Sequence, residues 1–95
     1  MIVEWSERAT GELEAARELV ASEFHAQALA ERIVRHTELL SQSPYLGAGM
    51  PEYADIDLRE IYEHPYRILY RVIGDRVQIV TLIHHARRLP RTPLT

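Results

Sequence analysis

The sequence predicts an α+β fold in which a helix hairpin packs on one side of a mostly antiparallel, four-stranded sheet, in the order β-α-α-β-β-β. Apolar side chains recur at helical spacing through the first 40 residues, whereas the last third alternates between apolar and polar residues. A Gly-Asp pair divides that last third into two strands, as in a tight hairpin. A chain of 95 residues is expected to form one domain over residues 1–95.

The first strand and both helices follow from local signals. An apolar segment at residues 2–5 predicts a strand, and Ser6 is a suitable N-cap for the helix after it. One face of that helix is marked by Ala9, Leu13, Ala16 and Val20. A second helix is predicted over residues 23–41, with the apolar face Leu29, Ile33, Thr37 and Leu40. The connection is short, so the two helices are expected to run antiparallel.

The remaining strands are predicted at residues 56–63, 66–73 and 77–84. Residues 43–51 contain two Pro and two Gly and are expected to form a loop. A two-residue turn at Gly74-Asp75 sets Tyr70 opposite Ile79 and Arg67 opposite Leu82. Two further prolines predict a flexible tail from about residue 89 to residue 95.

The two faces of the predicted last hairpin differ in chemistry. One face is apolar and is expected to lie beneath the helices. The other mixes cationic and apolar side chains, namely Arg67, Leu69, Arg71, Gln78, Val80, Leu82 and His84. This composition fits a groove for a partner, and it also fits a solvated face with scattered arginines.

Charge is distributed unevenly along the chain. Residues 1–58 carry four Arg against eleven Asp and Glu, whereas residues 59–95 carry seven Arg against three acids. A split of this kind points to a polyanionic or acidic partner. Lys is absent, so any anion would be bound by guanidinium groups, which suit bidentate contacts to phosphate or carboxylate.

Several function classes are excluded or disfavoured. The chain has no Cys, which rules out disulfides, thiolate metal sites and a cysteine nucleophile. It lacks a basic segment followed by a long apolar run, so no signal peptide, membrane span or membrane partner is expected. His84 and His85 are adjacent in a predicted strand and should point to opposite faces, so no metal site is expected. No cofactor-binding motif is present either.

Two groups of residues are candidates for chemistry. His84 would share a face with Arg67, and His64 is expected nearby, so these three could serve acid–base cleavage of a phosphodiester. The alternative is that both histidines are ordinary strand-end residues. Arg87 and Arg88 extend the cationic face and could contact phosphates or an acidic protein surface.

Several segments together resemble the RelE/ParE family of bacterial toxins from type II toxin–antitoxin systems. They are Val3-Glu4-Trp5-Ser6, the loop from Pro44 to Gly47, Leu58-Arg59, Pro65-Tyr66-Arg67-Ile68-Leu69-Tyr70-Arg71-Val72 and His84-His85-Ala86-Arg87-Arg88. The resemblance implies a small cytoplasmic toxin that a cognate antitoxin neutralises. Such an antitoxin is expected to bind DNA and to wrap the toxin with an extended or helical C-terminal segment.

The family divides by target, and the resemblance favours the ParE side. ParE-like members inhibit DNA gyrase, whereas RelE-like members are ribosome-dependent mRNA endoribonucleases that are usually basic and rich in Lys. This chain has a net charge of −3, no Lys and no aromatic residue after Val72, so a site on the ribosome is disfavoured. Whether the protein is an enzyme stays open, and an inactive member that acts only as a binding or regulatory module is a further alternative.

Three sets of site residues follow from the resemblance and the predicted faces. The surface for gyrase is predicted to comprise Arg59, Arg67, Arg87 and Arg88. If the protein is RelE-like, the catalytic residues are predicted to be His84, His64 and Arg67. The antitoxin is predicted to cover Arg67, Leu69, Arg71, Val80 and Leu82.

Overall fold

The computed structural model describes residues 1–94 and contains a five-stranded sheet in the order β1-β5-β4-β3-β2. The strands are β1 (Ile2–Trp5), β2 (Ala48–Gly49), β3 (Arg59–Glu63), β4 (Tyr66–Ile73) and β5 (Arg76–His84). Only the β1–β5 pairing is parallel among these neighbouring strands. The predicted α+β class is confirmed. The fifth strand, β2, lies in the segment predicted as a loop and pairs with Arg59 and Glu60 for two residues.

The two predicted helices are present and form the expected hairpin. They are α1 (Glu7–Glu18) and α2 (Glu23–Glu38), and a 3-10 turn at Leu39–Ser41 extends α2. Ser6 and Ser22 are the N-caps, and each side-chain hydroxyl accepts a backbone N–H three residues on. No helix within residues 1–94 is long and apolar enough to cross a bilayer.

A first core lies between the helices and one face of the sheet. The helices contribute the small residues Ala9 and Ala16, which allow α1 to lie close to the sheet, and the sheet contributes the buried Tyr70. The predicted apolar faces of both helices are confirmed by the burial of Leu29, Ile33, Thr37 and Leu40 and by the packing of Leu13 and Val20 against the core.

The hairpin of β4 and β5 keeps the predicted register only for its first half. Ile73 pairs with Arg76 and Tyr70 pairs with Ile79, across a turn in which Gly74 has a φ of +58°. The register then shifts by one residue, because Val80 is an extra residue in β5, so Leu69 pairs with Thr81.

This β-bulge makes one prediction wrong, because Arg67 pairs with Ile83 and not with Leu82. Beyond the bulge the faces exchange: Leu82 joins the core beneath the helices, while Ile83 joins the opposite face. The run Val80-Thr81-Leu82-Ile83 is buried throughout. Alternation of polar and apolar residues therefore could not reveal the one-residue shift in register.

The second face of the sheet is also covered, by the chain itself. Met50, Tyr53 and Leu58, from the segment between β2 and β3, pack on Leu69 and Val80. The groove predicted on this face is therefore filled by the protein's own residues. A domain of this size gains from such coverage, since small chains bury a limited fraction of their surface.

The segment predicted as a flexible tail lies against the body of the protein up to residue 94. Pro93 is buried, the Tyr53 hydroxyl donates to the Pro90 carbonyl at 2.5 Å, and Arg8 donates to the Pro93 carbonyl at 3.2 Å. These contacts restrain a segment that has no regular secondary structure. Residue 95 lies outside the described residues.

Tyr70 connects the sheet to the loop before β2. Its buried hydroxyl accepts the Gly47 backbone N–H at 2.7 Å. Gly47 is required there, because an added Cβ would lie 2.5 Å from the Glu60 carbonyl oxygen and 2.7 Å from the Tyr70 hydroxyl. Burial raises the pKa of Tyr70 above its usual 10.0, although the Gly47 N–H and the charge of Arg59 oppose this shift.

We expect Tyr70→Phe to lower the free energy of unfolding by about 1–3 kcal/mol, because the buried Gly47 N–H loses its acceptor. Tyr45→Phe is the matched control, since Tyr45 is 59% exposed and should change stability by less than about 0.5 kcal/mol. Urea unfolding of both variants measures the difference. The variant should also lose less stability above about pH 10, where the unfolded chain ionises a tyrosine that the fold keeps neutral.

Candidate functional site

Four arginines of the sheet are engaged in intramolecular contacts. Arg59 donates to the Gly47 carbonyl at 2.9 Å, Arg67 pairs with Glu60, Arg71 donates to the Gln78 side chain at 2.8 Å, and Arg76 pairs with Glu4. The positive charge that the sequence concentrates in these strands is thus largely used within the fold.

Arg67 forms a two-point pair with Glu60 on the second face. Its Nε and Nη2 atoms lie 3.2 and 2.5 Å from the two carboxylate oxygens of Glu60, a bidentate arrangement. This hydrogen bond is the main cause of a raised pKa for Arg67, with Glu52 and Tyr53 adding smaller contributions. Arg67 therefore serves as a fixed cation beside Glu60.

Arg59 lies on the opposite face of the sheet from Arg67. It lies on the same face as Ile61, two residues further along β3, which faces the helices, and its guanidinium carbon lies 4.9 Å from the centroid of the Tyr45 ring. The predicted gyrase surface of Arg59, Arg67, Arg87 and Arg88 is therefore divided between two faces and does not form one patch. Side chains alternate between the two faces along a strand. The sequence did not define the register of β3, so the face on which Arg59 lies could not be predicted.

The predicted catalytic set is also divided, because the bulge at Val80 carries His84 to the helix face. The His84 ring contacts the Tyr66 ring edge at a centroid distance of 5.5 Å, and Tyr66 belongs to the core beneath the helices. Arg67 lies on the other face. The expectation that His84 and Arg67 share a face is wrong.

Three histidines do come together at the end of the sheet where β3 meets β4. His84 stacks on His85 with ring centroids 4.8 Å apart, and His85 lies 5.7 Å from His64. His64 is thus near His84, as predicted, and His85 contacts both rings. His84 and His85 do not point to opposite faces, because His85 follows the end of β5 and the backbone turns there.

Two of these imidazoles have defined hydrogen-bond partners. His84 Nδ1 accepts the Ala86 backbone N–H at 3.1 Å, and the Tyr62 hydroxyl lies 2.9 Å from His64 Nδ1. Within residues 1–94 there is no group of three or more His, Asp or Glu side chains placed to hold a metal ion.

A surface groove, here called the edge groove, runs between α1 and the end of β5. Two adjoining depressions share Ala16, Leu19, Tyr66 and His84 as lining residues. One depression continues to Arg8, Glu12, Arg87 and Arg88, and the other to the base of α2 at Leu29. The walls of the groove are mainly apolar and its open end is cationic.

The groove exists because β1 is shorter than the strand that it pairs with. β1 covers only Arg76 to Ile79, so the outer edge of β5 beyond Ile79 has no neighbouring strand. Side chains form hydrogen bonds with backbone groups of that edge instead. Ser6 donates its hydroxyl to the Val80 carbonyl at 2.8 Å, and Glu12 accepts the Leu82 N–H at 3.0 Å.

Arg87 and Arg88 line the open end of the edge groove and are both exposed. Among the described residues neither guanidinium has a hydrogen bond or an ion pair, in contrast to the four sheet arginines. These two side chains are the part of the predicted gyrase surface that is available to a partner.

The predicted antitoxin site is not an open surface. Leu69 and Val80 are buried beneath the segment that contains Met50 and Tyr53, and Leu82 is buried beneath the helices. The predicted arginines of this set, Arg67 and Arg71, are held by Glu60 and Gln78.

Three groove residues on α1 and its C-cap were not predicted from the sequence, namely Arg8, Glu12 and Leu19. One signal for them was available. The first apolar segment has four residues, and the last strand has about twice as many. The first strand therefore could not pair with the full length of the last strand, and part of that edge had to lack a neighbouring strand.

The fold defines a small α+β domain with two helices on a mostly antiparallel sheet, and the comparisons with known proteins agree. In the chromosomal ParDE toxin–antitoxin system from P. aeruginosa, one chain is similar to this protein with a TM-score of 0.74 and 23% identity, covering 88% of this chain and 95% of that one. Functionally curated proteins include no significant match.

The family follows from a match over nearly the whole sequence. Residues 3–89 match the family described as the ParE toxin of the type II toxin–antitoxin system, parDE. The chain belongs to the ParE toxin family, as its sequence resemblance predicted. Membership in a parDE system implies an antitoxin as partner.

We expect Glu12→Ala to lower the free energy of unfolding by about 1–3 kcal/mol, because the Leu82 N–H and the Thr81 hydroxyl both donate to the same Glu12 oxygen. Glu12→Gln retains that oxygen and should recover most of the loss. Glu14→Ala, on the exposed side of the same helix, is the control in urea unfolding. Equal losses for the Ala and Gln variants would contradict this role for Glu12.

Proposed function

We propose that this protein is a ParE-like toxin that inhibits DNA gyrase without catalysing a reaction, and that its antitoxin binds in the edge groove. The observation that carries the proposal is the contrast among the arginines. Those of the sheet are held within the fold, whereas Arg87 and Arg88 are exposed at the end of the groove.

The arrangement of the predicted catalytic residues argues against an mRNA endoribonuclease. Such an enzyme needs an acid or base and a cation on the same side of the scissile phosphate. Here Arg67 is paired with Glu60 on one face, and His84 lies on the other. The arginines that line the groove together with His84, among them Arg87 and Arg88, lie outside the predicted catalytic set.

The groove suits an amphipathic helix better than an added strand. A strand would need free backbone groups along the edge of β5, but Ser6 and Glu12 already bond to Val80 and Leu82. The apolar walls around Leu19 and Tyr66 instead match the apolar stripe of a helix. Acidic residues of that helix would pair with Arg87 and Arg88.

This site explains neutralisation by occlusion. The cationic end of the groove contains the same two arginines that are proposed to contact gyrase, so a bound antitoxin would cover them. The apolar contacts would provide most of the affinity, and the charges would mainly set the association rate and the specificity.

We expect the double variant Arg87→Ala/Arg88→Ala to lose gyrase inhibition by roughly tenfold or more, because hydrogen bonds to charged groups contribute about 1.5–3 kcal/mol each. Arg35→Ala is the matched control, since Arg35 is also exposed but lies on α2, outside the edge groove. The assay is the supercoiling activity of purified gyrase, with circular dichroism to verify folding.

The same protein is added in parallel to a translation reaction with ribosomes and mRNA. Inhibited supercoiling with intact mRNA supports the proposal, and cut transcripts with unaffected supercoiling would overturn it in favour of an endoribonuclease. No effect in either assay, together with harmless expression in cells, would identify an inactive family member.

We expect Leu19→Asp to weaken antitoxin binding by about 10-fold or more, because a carboxylate would enter the apolar wall of the groove. Leu39→Asp is the control, since Leu39 is 55% exposed but lies on the far side of α2. Isothermal titration calorimetry with the antitoxin encoded beside this toxin measures both. Equal weakening by the two variants would exclude the edge groove as the antitoxin site.

A further inference from the structure

We propose that His84 is a pH-sensitive latch on the turn that carries Arg87 and Arg88. When its imidazole is neutral with the proton on Nε2, Nδ1 has a lone pair and accepts the Ala86 backbone N–H at 3.1 Å. A protonated imidazole carries hydrogen on both ring nitrogens and has no acceptor. Protonation of His84 therefore breaks this hydrogen bond and releases the turn.

The turn has few other restraints. The His85 N–H donates to the Pro65 carbonyl at 2.8 Å, and the Arg87 N–H donates to the His84 carbonyl at 2.9 Å. The Ala86 N–H lies between these two bonds, and its acceptor is the imidazole side chain of His84. Among the backbone bonds of this turn, only the bond to His84 Nδ1 has an acceptor that protonation removes.

The surroundings of His84 make a new positive charge disruptive. His84 stacks on His85, and His85 lies 5.7 Å from His64, so a cation on one ring is opposed by a cation on the next. The groups that line the groove around His84 are Arg8 and Glu12 from α1, His25 and Arg32 from α2, Tyr66 from β4, and Arg87 and Arg88.

Most of these groups are cationic when charged, and the carboxylate of Glu12 already accepts Thr81 and Leu82. A protonated His84 thus gains no free carboxylate in exchange for the lost Ala86 bond. The stack with His85 is expected to open at the same time as the turn. Arg87 and Arg88 directly follow Ala86 along the chain, so their positions change with the protonation of His84.

Through this latch, acidification changes the conformation of the turn at the cationic end of the edge groove. It concerns the conformation of the free toxin and does not depend on gyrase being the target. Where the proposed function holds, partner binding through Arg87 and Arg88 becomes dependent on the protonation state of His84.

The test is NMR of the 15N-labelled full chain between about pH 8 and about pH 5, the range in which histidine changes charge. In the wild type we expect the Ala86 amide resonance to move with the protonation of His84. Solvent exchange of this amide, corrected for its intrinsic pH dependence, should accelerate about five- to tenfold, the factor for losing one hydrogen bond.

His84→Asn is the decisive variant, because its Oδ1 can accept the Ala86 N–H but does not titrate. In this variant the Ala86 resonance should stay in place, whereas His85→Asn should behave as the wild type. An Ala86 amide that does not move in the wild type, or that moves equally in His84→Asn, would overturn the proposal.

A measurement on the wild type covers the case in which the variant fails to fold. The ring Cε1–Hε1 signal of His84 and the Ala86 amide should then titrate with the same midpoint. Different midpoints would show that another group controls the turn and would also overturn the proposal.

Discussion

The β-bulge at Val80 is the feature on which the site depends. It shifts the pairing of β4 and β5 by one residue and exchanges the faces of everything beyond it. Leu82 consequently enters the core under the helices, and His84 reaches the helix side, away from Arg67. The bulge begins where β1 ends, and side chains hold it from outside the sheet: Ser6 bonds to Val80, and Glu12 bonds to Thr81 and Leu82.

Pairing of arginines within the fold confines the available positive charge of the second half of the chain to a small region. Most arginines of the second half lie on the sheet and are bound by acids, an amide or a carbonyl group within the fold. Such half-buried pairs add modest stability, but they leave those cations unavailable to a binding partner. Among the described residues, the unbound positive charge of the second half is left after β5, at Arg87 and Arg88 in the turn and at Arg91 in the tail. A net charge of −3 is thus compatible with a cationic contact surface.

Coverage of both sheet faces determines where a partner can bind. The helices cover one face, and the segment from Met50 to Leu58, with the tail, covers the other. A small domain that buried only one face would leave a large apolar patch exposed to water. With both faces occupied, the edge groove beside α1 remains as an accessible, mainly apolar surface. The candidate site therefore lies at the edge of the sheet, where the neighbouring strand is missing.

The sequence by itself determined both helices, four of the five strands and the family. Helical spacing placed Ala9, Ala16 and Ile33 in the core, and the Gly74-Asp75 turn set the register near it, because both signals act between residues close in the chain. Tertiary structure alone decided where the functional side chains lie. The bulge at Val80 depends on Glu12, 70 residues from Leu82 in sequence, and the stack of His84 on His85 depends on where β5 ends. Such contacts leave no local pattern, since a fully buried run such as Val80 to Ile83 fits either register equally well.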